Sequence, residues 1–89
     1  MKPTPSKRIL IVEDEPDVVD LLSLQLRKTG EFTVSTAMDG AAAVRKARAE
    51  SPALIILDLM LPQMPGLEVC KVLKTDPVTR MIPVIQPKC

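Results

Sequence analysis

Two short runs of aliphatic residues constrain this chain more than anything else in it. Ile9-Leu10-Ile11-Val12, led in by Arg8, and Leu54-Ile55-Ile56-Leu57 are both unbroken, with no polar residue at alternate positions. A strand with one wet face alternates, whereas a strand that is apolar at every position needs cover on both faces. That is the situation of a parallel sheet between layers of helix. Each run also stops abruptly on acid, the first at Glu13-Asp14-Glu15 and the second at Asp58.

The segments around these runs supply the other elements. Pro16 suits the first turn of a helix, and from Asp17 to Lys28 the residues Val18, Val19, Leu22 and Leu26 recur at helical spacing, with Leu21 and Leu24 widening the face. Gly30 stands where a C-cap is expected. Phe32 to Ala37 alternates and reads as a strand near a sheet edge. Ala41 to Glu50 is a helix of high intrinsic propensity, with Arg45, Lys46 and Arg48 on a solvated outer face. Leu67 to about Lys74 carries the stripe Leu67, Cys70 and Leu73, with Val69 and Val72 beside it, and ends at Thr75-Asp76-Pro77. Ile82 to Ile85 is a last strand, its proline near the start where a missing N–H is tolerated. The β-α-β-α-β-α-β order, with short linkers, predicts an α/β three-layer sandwich around a parallel sheet. Residues 1–7, polar and proline-containing, form a disordered lead-in, and 8–89 make one domain.

Composition removes whole classes of function. With no histidine, imidazole catalysis, His-based zinc sites and a phosphohistidine on this chain are excluded. Twelve Lys and Arg against eleven Asp and Glu give a net charge of +1, too little for a bulk field that holds nucleic acid or an acidic membrane. No apolar run approaches the roughly 20 residues of a membrane helix, and the start is unlike a signal peptide, so a cytoplasmic location is expected. Two cysteines, Cys70 and Cys89, fit no metal-ligand set or disulfide framework. Cys70 is most simply a core residue, while Cys89 could cross-link chains on oxidation.

In an open parallel sheet, ligands sit beyond the carboxyl ends of the strands, where strand order reverses. If the first and third strands are neighbours, Glu13, Asp14 and Asp58 converge there. Clustered carboxylates recruit a cation, and an all-oxygen donor set suits Mg²⁺, which often binds together with a phosphate.

At this point a resemblance is evident. The stretches ILIVED (Ile9 to Asp14), LIILDLMLPQMPG (Leu54 to Gly66) and IPVI (Ile82 to Ile85) resemble the receiver domain of two-component response regulators, a flavodoxin-like fold. The join of Asp58 to Leu59-Met60-Leu61-Pro62, with Gly66 eight residues past the aspartate, carries it most specifically. The resemblance implies that Asp58 accepts a phosphoryl group from a histidine kinase or phosphotransfer protein. It also implies that Asp14, Asp58 and the Met60 backbone carbonyl ligate Mg²⁺, and that Glu13 holds a metal-bound water. Such a module accepts phosphate rather than acting as an enzyme, beyond self-phosphorylation from small phosphodonors.

The chain also departs from the family pattern. Receiver domains continue through a further helix, strand and helix, with a Thr or Ser past the fourth strand and a Lys at the end of the fifth. Here Lys88 aligns with the hydroxyl, after Gln86-Pro87, and the fifth strand is absent. The expectation is a C-terminally truncated receiver, impaired in switching, whose fourth strand forms an exposed edge through which two copies pair. Two other functions compete with phosphoacceptance: an interaction fragment that self-associates through that edge, and an aspartate-nucleophile phosphohydrolase. The second is disfavoured because those enzymes carry another acid two residues past the nucleophile, where this chain has Met60.

Overall fold

A computed structural model describes residues 7–57 and 66–85 of the chain. Within them, β1 (Lys7–Val12), β2 (Phe32–Ala37), β3 (Leu54–Leu57) and β4 (Val84–Ile85) alternate with α1 (Pro16–Arg27), α2 (Gly40–Glu50) and α3 (Gly66–Thr75). All neighbouring strands are parallel, in the order β2-β1-β3-β4. The path therefore runs outward from β1 to β2, then back across β1 to β3 and on to β4. With right-handed crossovers, a reversal of direction moves the connecting helices to the opposite face, with α1 on one side and α2 and α3 on the other. Burial follows that division. Leu10, Val12, Ile55 and Leu57 share one core cluster with Ala43 and Ala47 of α2 and Val69, Cys70 and Leu73 of α3. Ile9 and Ile11 are equally buried but lie outside that cluster, on the other face. The continuous apolar runs are thus covered on both sides, the condition that produced them.

Several boundaries and faces differ from the sequence reading. β1 takes in Lys7, whose N–H donates to the Glu31 carbonyl at 3.2 Å, so the strand starts inside the expected lead-in. β4 is only Val84–Ile85, because Ile82 instead closes a turn, its N–H donating to the Thr79 carbonyl at 3.0 Å. In α1 no side chain is fully buried. Val19, Leu22 and Leu26 lie half-buried against the sheet, whereas Val18, Leu21 and Leu24 are exposed and do not widen the core face. In α3, Leu67 is exposed and Val69 takes its place beside Cys70 and Leu73. Cys70 is a core residue as expected, but it is disulfide-bonded.

The basic residues of α2 divide between solvent and structure. Arg45 is exposed, as read from sequence. Lys46 Nζ instead donates to the Thr36 carbonyl, and Arg48 pairs with Asp76, so these two bind their helix to β2 and to the turn after α3. Helix α2 itself starts where the Asp39 side chain accepts from the Ala42 N–H at 2.8 Å, a side-chain N-cap that fixes the exit from β2.

Candidate functional site at the carboxyl ends of β1 and β3

The reversal of strand order falls between β1 and β3, the crevice where open parallel sheets bind ligands. The two strands run in register from Ile9 and Leu54 to Val12 and Leu57, so their carboxyl ends are level. Neighbouring strands lie about 4.8 Å apart, and the sequence places Glu13-Asp14 after one of these ends and Asp58 after the other. Asp58 and Met60 themselves lie outside the described residues.

Glu13 and Asp14 are held by the transition from strand to helix. The Glu13 N–H donates to the Ala37 carbonyl at 3.0 Å, extending the ladder with β2 one step past the strand. Its carboxylate Oε2 accepts from the Glu15 N–H at 3.2 Å, which turns the chain into α1 with Glu15 as N-cap and Pro16 in the first turn. Both acids are half-buried, so their carboxylates sit at the rim of the sheet and not out in a mobile loop. Among the described residues no group of three or more Asp, Glu, His or Cys could hold a metal. The pair Glu13 and Asp14 fits a hard divalent cation by donor type, as two carboxylates that offer only oxygen.

Beside Glu13 opens a cleft of about 150 Å³ lined by Pro16, Val19, Asp20, Thr36 and Met38. Its far wall is the end of β2, and the sequence reading assigned that strand no part in a site. The signal was available in principle, since Thr36 and Met38 share an alternation phase and flank Ala37, the residue level with Val12, but nothing in an isolated strand says which neighbour it will flank.

With this geometry in view, comparison with known proteins is decisive for the family. Residues 9–86 match the model of the response regulator receiver domain, and the chain belongs to that family. It is 45% identical over 80 residues to the alkaline phosphatase synthesis transcriptional regulatory protein PhoP of Bacillus subtilis, covering 90% of this chain and 32% of that one. The chain thus spans about a third of that relative's length. Among solved structures, the N-terminal domain of a response regulator receiver protein from Methanoculleus marisnigri superposes with a TM-score of 0.83 at 35% identity, covering 91% of this chain and 71% of that one. The receiver domain of a sensor histidine kinase from Pseudomonas aeruginosa superposes with a TM-score of 0.84 at 29% identity, covering 90% and 65%, and is described with a magnesium ion coordinated in its active site cleft. The flavodoxin-like receiver fold expected from sequence is the fold observed.

Proposed function

We propose that the chain is the phosphoacceptor module of a His-to-Asp phosphorelay, phosphorylated on Asp58 with Mg²⁺ held by Asp14, Asp58 and the Met60 carbonyl and, through water, by Glu13. The observation that carries this reading is the level ending of two adjacent parallel strands at the strand-order reversal, each followed directly by acid. A carboxylate oxygen of Asp58 attacks phosphorus in line. The bond from phosphorus to the donor breaks, and the donor leaves with the electron pair, as a neutral imidazole when the donor is a phosphohistidine that already carries a proton on its other ring nitrogen. Mg²⁺, when bound, takes up charge from the phosphoryl oxygens. Glu13 and Asp14 concentrate negative charge at the rim before any donor arrives, which makes the site one for a cation first and a phosphate second.

The donor in this proposal is a sensor histidine kinase or a phosphotransfer protein, in the cytoplasm. The chain on its own gains at most a slow self-phosphorylation from small phosphodonors.

Labelling with acetyl phosphate tests the reading. Mg²⁺-dependent incorporation of one phosphoryl group, abolished by Asp58→Asn, is the expected result. Incorporation that survives Asp58→Asn would overturn it, and rapid turnover without a stable adduct would point to a phosphohydrolase.

A further inference from the structure

Helix α1 carries two leucines where a helix on a sheet should carry polar residues. Its half-buried side chains, Val19, Leu22, Ser23 and Leu26, mark the face turned to the sheet. At 3.6 residues per turn, Asp17, Leu21, Leu24 and Lys28 fall within about 60° of one another on the opposite side. Leu21 and Leu24 are 59% and 56% exposed, and Asp17 and Lys28 are exposed at the two ends of the stripe. Because the stripe points directly away from the sheet, an element lying on the sheet beside α1 does not cover it. Among the described residues neither Asp17 nor Lys28 has an ion-pair partner.

The stripe has two further properties. Its spacing of four, three and four residues is that of the seam of a coiled coil. It is also self-complementary. Laid antiparallel against a copy of itself, with a two-fold axis between Leu21 and Leu24, Leu21 meets the copy's Leu24, and Asp17 meets the copy's Lys28. Each of these pairs then occurs twice, as an isologous contact requires. Lys28 remains in helical conformation, so the stripe is continuous to its basic end. The antiparallel arrangement also sets the positive end of each helix dipole beside the negative end of the other.

We propose that α1 is a self-association surface, and that its occupant is α1 of a second copy of this chain in that antiparallel register. Charge complementarity selects the occupant, since an acidic first turn and a basic last turn separated by two leucines match their own reverse. A single helix pair buries less than the 1,200 Å² or so typical of stable interfaces, so the association is weak and driven by concentration.

Sedimentation equilibrium on the full chain tests this. The weight-average mass should rise from 9.7 kDa toward twice that value at high protein concentration, and Leu21→Glu should hold it at the monomer. Asp17→Lys and Lys28→Asp should each be monomeric alone, because each sets like charges across the axis. Mixed in equal amounts they should associate again, since the mixed pair restores two opposite-charge contacts. Circular dichroism confirms that each variant keeps its helix content. Ile85→Lys, which blocks pairing along β4, should leave the association intact. A wild-type chain that stays monomeric would overturn the proposal, as would a dimer indifferent to Leu21→Glu or single-charge variants that fail to associate on mixing.

Discussion

Leu73 cannot be bonded as a residue in an α-helix usually is, because the residue four positions on is Pro77, which has no N–H to give. The Leu73 carbonyl instead accepts from Thr79 Oγ1 at 2.7 Å, and Thr79 is 1% exposed although it is polar. A hydroxyl is buried here to satisfy a carbonyl that the proline orphaned. Thr79→Val keeps the shape and removes the donor, so it should destabilise by about 1–3 kcal/mol in urea unfolding, whereas Thr79→Ser should retain most of the stability. Three residues earlier, Asp76 ties the same turn together. Its Oδ1 accepts from the Val78 N–H at 2.8 Å, and Oδ2 pairs with Arg48 across from α2. The Val78 N–H first, and then Arg48, hold its carboxyl below the ordinary value of 3.8, although partial burial opposes them. A depressed folded-state pKa contributes stability that is present above the unfolded value and is lost as pH falls through the folded one. Asp76→Asn should therefore lower the melting temperature at neutral pH, and the two melting curves should converge as pH drops below 3.8. Curves that stay parallel would show that the carboxylate charge is not what matters at this turn.

At the scale of elements, α2 shows how a good helix former can end at an unfavourable residue. Ser51, its C-cap, lies at φ 47° and ψ 60°, in the left-handed region, with its N–H donating to the Ala47 carbonyl at 3.1 Å. That conformation costs a non-glycine residue about 1–2 kcal/mol, and glycine gives back roughly 0.4–1 kcal/mol through its freer unfolded chain. Ser51→Gly should therefore stabilise the domain by roughly 0.5 kcal/mol, measurable as a higher urea midpoint at unchanged slope. Sequence reading places the end of α2 correctly from Ser51-Pro52 but cannot show its handedness, since serine is no signal for it. The same division between pattern and partner recurs elsewhere. The buried runs of β1 and β3 are legible because cover on both faces leaves a continuous apolar record in the residues themselves. The truncation of β4 to Val84–Ile85 is not, because Ile82 is buried whether it sits in a strand or in a turn. Nor are the roles of Lys46 and Arg48, since a basic residue on an outer helix face looks the same with or without a carbonyl or carboxylate in reach. For the candidate site, Glu13 and Asp14 are where the sequence puts them, at the rim of the sheet. The flanking wall at Thr36 and Met38 depends on strand order, which only the assembled sheet supplies.

At the scale of the whole molecule, strand order turns local chemistry into a site. β1 and β3 are separated in sequence by a strand and two helices, yet the reversal of path makes them neighbours with level ends. The acids after β1 are therefore held by the fold, and on the function proposed above a cation bound there has affinity for the native chain and little for the unfolded one, which has no level strand ends. Binding to the native state alone raises stability by RT ln(1 + [L]/Kd), about 1.4 kcal/mol when magnesium is tenfold above its dissociation constant. For a domain of this size each 1 kcal/mol moves the midpoint by about 4–8 °C, so Mg²⁺ should raise it by roughly 6–11 °C at that concentration. Asp14→Asn should melt near the wild-type temperature without magnesium, or slightly above it once a repulsive charge is removed, and should show little response when magnesium is added. Scanning calorimetry of both chains at matched ionic strength makes the comparison. A wild-type midpoint that magnesium leaves in place, or an equal rise in both chains, would separate the acidic rim of β1 from any metal site.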